Sequence, residues 1–242
     1  MSAAGAPQFK ARMFERIDRT PSVASFRFNP VAPVQFKAGQ FVKVLFDETN
    51  RQNKELNKYL SFSSAPMHGY FELTKRLSDS AFSNRLRKLM PGDEVLFQGP
   101  SGNCVLPDKP AKIGFLIGGI GITPVIAMLE DIVQNHRPVE AILMYSNRVR
   151  EEIAFKPELD LWQSRHKNIR VIYTLTDCPD KAAQCVYGRI DAGLMRERIP
   201  DAGDRQFYIF GPPGMVNAME QLCQQAGCQK ENIKAERFSG YD

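Results

Sequence analysis

The sequence contains no apolar run that approaches the length needed to cross a membrane, which is about 20 residues. Its N-terminal segment also has no apolar core of the signal-peptide type. These two absences predict a cytoplasmic protein without a membrane span. The net charge of +5 over 242 residues is too small and too scattered to indicate a nucleic-acid partner.

Metal ligands are also scarce. The chain has three scattered histidines and five cysteines, an odd number that is typical of a reducing compartment. Cys223 and Cys228 have the spacing that begins a plant-type iron–sulfur signature, but the C-x2-C that should follow them is absent. We therefore interpret the cysteines as structural and predict no metal site.

The hydrophobic pattern changes between the two halves of the chain, and the chain length suits two domains. Residues 8–106 contain short alternating segments separated by turn residues, with one amphipathic helix near residues 81–89. In the remainder, apolar strands alternate with amphipathic helices. We predict an N-terminal antiparallel β-barrel over residues 1–108 and a C-terminal α/β domain with a doubly wound parallel sheet over residues 109–242.

Two glycine-rich turns each connect a predicted strand to a predicted helix in the C-terminal half. The first is Gly118–Val125, GGIGITPV, and the second is Phe210–Met215, FGPPGM. At the carboxyl edge of a parallel sheet such turns let the backbone approach phosphates, and the following helix supplies unpaired N–H groups. Close packing of a strand and a helix explains the first turn equally well when it is taken alone. Two such turns in one sheet favour a dinucleotide site.

These features, in this order, resemble the ferredoxin–NADP reductase superfamily of flavoprotein reductases over about residues 8–242. The resemblance implies FAD on the barrel and NAD(P)H on the α/β domain. The stretch Lys58-Tyr59-Leu60-Ser61 is similar to the family's first flavin motif, R-x-Y-S/T. Lys58 keeps a positive charge for the pyrophosphate without the bidentate fork of arginine, and Leu60 replaces the tyrosine that stacks on the flavin. An ordinary barrel strand is the alternative interpretation.

The strand Phe71–Arg76 and the helix after it resemble the family's second flavin motif. The resemblance implies four flavin contacts here: Thr74, Lys75, Phe82 and Ser83. Asp79 and Ser80 stand where glycines are usual, and Ser80 is alternatively a helix N-cap. A turn similar to the family's G-P-x-G adds Gly102, and the pyrophosphate site favours FAD over FMN.

In the C-terminal domain, the resemblance implies that the two glycine-rich turns bind the nicotinamide cofactor. The implied contacts are Gly119, Gly121, Thr123, Pro124, Gly211, Pro212 and Met215. The stretch Tyr145–Arg148, followed by two glutamates, is similar to the family's Y-x-x-R-x-x-E/D and adds Asn147 and Arg148. Arg148 meets a phosphate in one interpretation and only pairs with Glu152 in the other.

Asp177 bears on the choice between NADH and NADPH. Thr176 and Asp177 stand where NADP-specific members of the family usually place a Ser-Arg pair. A carboxylate accepts hydrogen bonds from a ribose 2′-hydroxyl and repels a 2′-phosphate, so Asp177 favours NADH. Alternatively, Asp177 only initiates the turn before Pro179.

The end of the chain, from Glu236 to Asp242, resembles the family's short terminus, in which an acidic residue precedes aromatic residues near the flavin. The resemblance implies that Glu236 handles protons and that Ser61 lies near the reactive flavin nitrogen, which makes these two the candidate catalytic residues. Phe238 either covers the flavin ring or packs the last strand.

The activity that the resemblance implies is an NAD(P)H-dependent flavoprotein reductase, in which hydride passes from the nicotinamide to FAD. The sequence has neither a fused ferredoxin-like cysteine domain nor a C-x-x-C-H haem motif. We therefore expect a separate acceptor, such as a ferredoxin, a flavodoxin or an oxygenase-type carrier. The alternatives are an NADPH-specific ferredoxin or flavodoxin reductase and a non-catalytic flavin- or nucleotide-binding subunit of a larger redox complex.

A basic cluster offers one way to dock an acidic carrier, although a solvated helix face explains it equally well. Its members are Lys75, Arg76, Arg85, Arg87 and Lys88.

Overall fold

A computed structural model describes residues 5–109, 111–177 and 185–238. Three parts of the sequence discussed above lie outside the described residues: Cys178, which is one of the five cysteines, Pro179 and the last four residues of the terminus. The chain forms two compact units. The first comprises the described residues up to Leu106 together with Thr123–Asp131, and the second comprises Pro107–Ile122 and the described residues from Ile132 onward.

The first unit is built on a six-stranded antiparallel sheet with the strand order β4-β3-β6-β1-β2-β5. An antiparallel bridge between Phe62 and Leu73 joins the two end strands, so the sheet closes into the predicted barrel. The elements are β1 (Gln8–Thr20), β2 (Val23–Pro30), β3 (Phe41–Leu45), β4 (Asn57–Ser61), β5 (Phe71–Arg76), α1 (Ala81–Arg87) and β6 (Glu94–Ser101).

Aromatic side chains fill the barrel, because alternate residues of each strand point inward. The rings of Phe28 and Phe71 stack with centroids 5.4 Å apart, and Phe97 meets both edge-on. Each buried phenylalanine contributes about 1.5–3 kcal/mol relative to an exposed one. Helix α1 adds Phe82 and Leu86 to the same core.

The second unit is a six-stranded parallel sheet with the strand order β10-β9-β8-β7-β11-β12. The elements are β7 (Ala111–Gly118), α2 (Ile122–Gln134), β8 (Val139–Asn147), α3 (Lys156–Arg165), β9 (Ile169–Leu175), β10 (Val186–Tyr187), α4 (Ala192–Arg198), β11 (Gln206–Gly211), α5 (Pro213–Gln225) and β12 (Ile233–Arg237).

Helices cover both faces of this sheet. Ile172 of β9 packs into the cluster formed with α4 and α5, whereas the hydroxyl of its neighbour Tyr173 donates to Asp160 of α3 at 2.8 Å. This arrangement confirms the predicted doubly wound sheet. Strands β8 and β11 flank β7 on opposite sides, so the carboxyl ends of β7 and β11 meet at a topological switch point, where such sheets bind ligands.

Among the helices of the described residues, we find none that combines the length and the apolar character required to traverse a bilayer.

Candidate functional site

Two lysines lie on the strands that flank the closing seam of the barrel. Lys58 shares one face of β4 with Leu60, which packs in the core, and Lys75 shares one face of β5 with the core residue Leu73. Lys75 is only 7% exposed. Burial, together with the nearby charge of Lys58, lowers the pKa of Lys75 to about 8.

This pair fits the pyrophosphate of FAD. Two neighbouring ammonium groups, one of them buried, repel each other, and phosphate oxygens would relieve that repulsion. The chain then continues from β5 into the first turn of α1. The burial of Lys75 corrects one expectation: this residue is not part of an exposed basic cluster.

Serine residues organise the start of α1. Ser80 is its N-cap, as the alternative interpretation predicted, and its hydroxyl accepts a hydrogen bond from the backbone N–H of Ser83 at 3.3 Å. The hydroxyl of the buried Ser83 in turn accepts from the backbone N–H of Ser78 at 3.2 Å. Ser83 therefore has a structural role in this turn.

Three other predicted flavin contacts also have visible structural roles. The hydroxyl of Thr74 lies 2.7 Å from those of Ser25 and Ser63. The ring of Phe82 is fully buried in the core of the barrel. Gly102 has a φ of 106°, and a β-carbon there would lie 3.0 Å from the ring of Phe41.

A buried acidic residue that the sequence analysis did not single out holds the same part of the barrel together. Glu72 is 2% exposed, and its carboxylate accepts from Arg27 at 2.9 Å and from Arg19 at 3.0 Å. The hydroxyl of Ser63 lies 3.3 Å from the same carboxylate. Glu72 and these three partners come from four separate segments of the chain, so local sequence offered no signal for the cluster.

In the second unit, the two glycine-rich turns pack directly against each other. A β-carbon at Gly121 would collide with the carbonyl oxygen of Phe210, and one at Gly118 would collide with the sulfur of Met215. Gly119 adopts a left-handed φ of 51°. Packing therefore requires a glycine at position 121, where the neighbour is backbone, whereas the flexible Met215 side chain could move away from a β-carbon at Gly118. The contact between Gly121 and Phe210 brings both turns together at the carboxyl edge of the sheet.

Each helix that follows one of these turns has a proline within its first turn. Thr123 and Pro124 lie in the first turn of α2, where a missing N–H is tolerated, and Thr123 is 3% exposed. Pro212 is the N-cap residue of α5 and is exposed, whereas Gly211 before it is buried.

Arg148 and Asp177 meet where β8 and β9 end. The Nη2 atom of Arg148 lies 3.2 Å from Oδ2 of Asp177, and both side chains are largely exposed. The backbone N–H of Asp177 also donates to the carbonyl oxygen of Arg148 at 2.8 Å. The structure thus pairs Arg148 with Asp177, which neither interpretation of its sequence motif anticipated.

The side chain of Asn147 lies buried at the end of β8 and is 5% exposed. Across the part of the chain that the structure describes, neither its amide nitrogen nor its amide oxygen has a hydrogen-bond partner, and the same holds for the buried hydroxyl of Thr174. Buried polar groups are nearly always hydrogen-bonded, so we expect these atoms to bond to ordered water or to polar groups of a bound nucleotide.

Glu236 and Phe238 lie at the same edge of the parallel sheet. Glu236 stands opposite Phe210 in the β11–β12 pairing. The backbone N–H of Phe238 donates to Gly211 at 2.9 Å, and its ring centroid is 6.3 Å from that of Phe210. The other candidate catalytic residue, Ser61, ends β4 in the first unit and is 7% exposed.

Known proteins resemble both units. The family model for the oxidoreductase FAD-binding domain matches residues 10–106, and that for the oxidoreductase NAD-binding domain matches residues 115–221. NADH-cytochrome b5 reductase 1 of Mortierella alpina is 28% identical over 231 residues, which are 92% of this chain and 76% of that protein.

Solved structures share the fold. The flavohem-like FAD/NAD-binding domain of nitric oxide dioxygenase from Vibrio cholerae has a TM-score of 0.84 at 18% identity, covering 95% of this chain and 98% of that one. Ferredoxin-NADP+ reductase from Plasmodium falciparum has a TM-score of 0.77 at 15% identity and covers 96% of each chain.

A barrel that carries a flavin motif, followed by a dinucleotide-binding sheet, defines an FAD-dependent NAD(P)H oxidoreductase. The chain belongs to the ferredoxin–NADP reductase superfamily, as its sequence motifs indicated.

Proposed function

We propose that the protein oxidises NADH in preference to NADPH and passes the electrons through FAD to a separate, acidic electron-carrier protein. The bound cofactors supply the hydride and electron-transfer chemistry, and the chain binds, orients and shields them. The observation that carries the preference for NADH is the carboxylate of Asp177 at the carboxyl end of β9.

Asp177 follows the carboxyl end of β9, at the edge of the sheet where open α/β folds bind their ligands. Its carboxylate is 64% exposed and therefore accessible to a ligand. A carboxylate accepts a hydrogen bond from the 2′-hydroxyl of NADH and repels the 2′-phosphate of NADPH. The similarity to an NADH-cytochrome b5 reductase supports the same choice.

On the barrel, Lys58 and Lys75 would hold the FAD pyrophosphate through their two positive charges. The hydroxyl of Ser61 would hydrogen-bond at the reactive nitrogen, whereas Leu60 packs in the barrel core and would not supply the ring contact that an aromatic residue gives at this position. The support for this assignment is the position of Lys58, Ser61 and Lys75 on β4 and β5, which flank one seam.

On the parallel sheet, the two packed glycine turns would bind the nicotinamide dinucleotide with backbone N–H groups. Thr123, in the first turn of α2, would lie near the nicotinamide. Glu236 would exchange a proton with solvent during turnover, and Phe238 would shield the site from water. Correct alignment of the two cofactors supplies most of the rate in such a reaction.

The acceptor is proposed from surface charge. Arg85, Arg87 and Lys88 are exposed on or beside α1, and the partly exposed Arg76 precedes that helix. A basic surface accelerates encounter with an acidic partner, as small haem, iron–sulfur and flavin carriers often are. Cytochrome b5, after which the Mortierella alpina reductase is named, is a candidate of this kind.

The preference for NADH is tested by recording the visible spectrum of the FAD-loaded protein without oxygen, before and after each nucleotide is added. We expect the flavin absorbance to bleach faster with NADH than with NADPH at equal concentrations. Faster bleaching with NADPH would leave the oxidoreductase intact and contradict the role of Asp177.

The proposed carrier is tested by measuring NADH-driven reduction of cytochrome b5 at increasing salt concentrations. We expect the rate to fall as salt rises, because screening weakens the attraction between opposite charges. An Arg85→Gln/Lys88→Gln variant should be slower at low salt and equal to the parent at high salt. Equal rates at every salt concentration would exclude this surface as the docking site.

A further inference from the structure

The ion pair between Arg148 and Asp177 joins two side chains that the family motifs suggest for different contacts, one with a phosphate and the other with a ribose hydroxyl. Parallel pairing of β8 with β9 places the two strand ends side by side. Backbone hydrogen bonds then fix the next residues, since Thr176 donates to Asn147 at 3.0 Å and Asp177 donates to Arg148 at 2.8 Å. The backbone therefore holds these two residues next to each other.

Both partners are accessible, with 73% of the Arg148 side chain and 64% of the Asp177 side chain exposed. An exposed ion pair adds little to the stability of the fold. The two partners favour opposite ligands. A guanidinium binds phosphate oxygens, whereas a carboxylate accepts a hydroxyl hydrogen bond and repels phosphate.

We propose that Arg148 and Asp177 form a single charge-coupled selectivity element for the 2′ position of the adenosine ribose. Asp177 selects the 2′-hydroxyl. By pairing with Arg148, it also occupies the guanidinium that would otherwise bind a 2′-phosphate. This inference rests on the proposed preference for NADH and extends it to a second residue.

The coupling has two consequences. Removing the carboxylate releases the guanidinium for a 2′-phosphate, in addition to ending the repulsion. Removing the guanidinium leaves the carboxylate without its counter-ion, so its repulsion of a 2′-phosphate becomes stronger. A simple repulsive carboxylate, acting alone, would show neither dependence on Arg148.

The test is calorimetric binding of 5′-AMP and 2′,5′-ADP, which differ only in the 2′-phosphate, to the FAD-loaded protein. The proteins compared are the parent, Asp177→Asn, Arg148→Ala and the double variant. We expect the parent to prefer 5′-AMP and Arg148→Ala to prefer it more strongly. Asp177→Asn should shift the ratio of affinities toward 2′,5′-ADP by at least about tenfold, and the double variant should lose most of that shift.

Asp18→Asn is the matched control, because it removes one carboxylate from the exposed pair with Arg16 on β1. An equal shift in Asp18→Asn would show an effect of net charge and overturn the coupling. A double variant that keeps the full shift would overturn the role of Arg148 and leave the NADH preference standing. A parent that binds 2′,5′-ADP more tightly, or neither probe, would overturn the coupling and the proposed NADH preference together.

Discussion

The carbonyl oxygen of Phe210 occupies the space that a β-carbon of Gly121 would need, so the two glycine turns of the second unit meet through backbone atoms. This contact joins the end of β11 to the start of α2. It sets the spacing between the two segments that we propose to cradle the dinucleotide, and it leaves no room for a side chain.

The first prediction concerns this contact. Gly121→Ala should destabilise the protein by at least about 1–3 kcal/mol, because an added methyl group in a packed interior forces the backbone apart. It should also weaken NADH binding. Urea unfolding and nucleotide titration measure the two effects.

Gly203→Ala, between α4 and β11, is the control for that experiment, because a β-carbon at Gly203 would come no closer than 3.6 Å to another atom, an ordinary van der Waals contact. It should leave both stability and nucleotide binding close to those of the parent. Equal behaviour of the two variants would show that the contact between Gly121 and Phe210 does not constrain the site.

The second prediction uses the buried lysine of the barrel. The pKa of Lys75 is about 8 in the folded protein, against an ordinary value of 10.5. Between these two values the unfolded chain binds more protons, so this group makes stability rise with pH across that window. Relative to Lys75→Met, the flavin-free parent should therefore gain stability between pH 8 and pH 10.5.

Unfolding curves of the parent and Lys75→Met at several pH values isolate the contribution of Lys75, because all other titratable groups are present in both proteins. Lys75→Met should also bind FAD more weakly at pH 7, because one positive charge of the proposed pyrophosphate site is gone. Parallel pH profiles would contradict the depressed pKa, and unchanged FAD affinity would remove Lys75 from the proposed site.

The third prediction concerns Glu72, whose carboxylate is shared by Arg19 and Arg27. Glu72→Gln should cost about 3 kcal/mol, because it removes the buried negative charge that Arg19 and Arg27 share. The free energy of unfolding measures this cost. Asp18→Asn, which removes an exposed pair, should cost less than about 1 kcal/mol. Similar losses in the two variants would mean that the Glu72 cluster behaves as a surface pair.

The fourth prediction concerns the cysteines. Burial raises the pKa of the Cys223 and Cys228 thiols, and the thiolate is the reactive form. A maleimide reagent should therefore label the partly exposed Cys104 and Cys185 in the folded protein and reach the other two only after unfolding. Peptide mass spectrometry reads the labelled sites. Rapid labelling of Cys223 in the folded protein would contradict its burial.

Much of the fold could be predicted from the sequence because its signals are local. Three signals each depend on residues close together in the chain. They are the alternation of apolar and polar residues along the strands, the change of hydrophobic pattern after the first half, and the two glycine turns. The burial of Lys75 could also be predicted, because Lys75 lies on the same face of β5 as the inward residues Phe71 and Leu73. Its charge favoured the surface interpretation, and that interpretation was wrong.

The remaining features depend on which strands become neighbours. The pairing of Arg148 with Asp177 requires β8 and β9 to lie side by side in one register. The Glu72 cluster requires β1, β2 and β5 to be adjacent. Neither adjacency is encoded by a local pattern, so the charges of these residues could be read from the sequence but their partners could not.

The barrel of the first unit should open most easily along its closing seam, between β4 and β5. Strands β4 and β5 meet through one bridge, between Phe62 and Leu73, and a hydrogen bond from Ser63 to Glu72, whereas the other strand pairs form longer ladders. Partial opening there breaks the fewest backbone hydrogen bonds. Lys58 and Lys75 lie on opposite sides of that seam, so an anion bound by both would hold the two strands together. Retention of the cofactor and closure of the barrel would then be a single cooperative event.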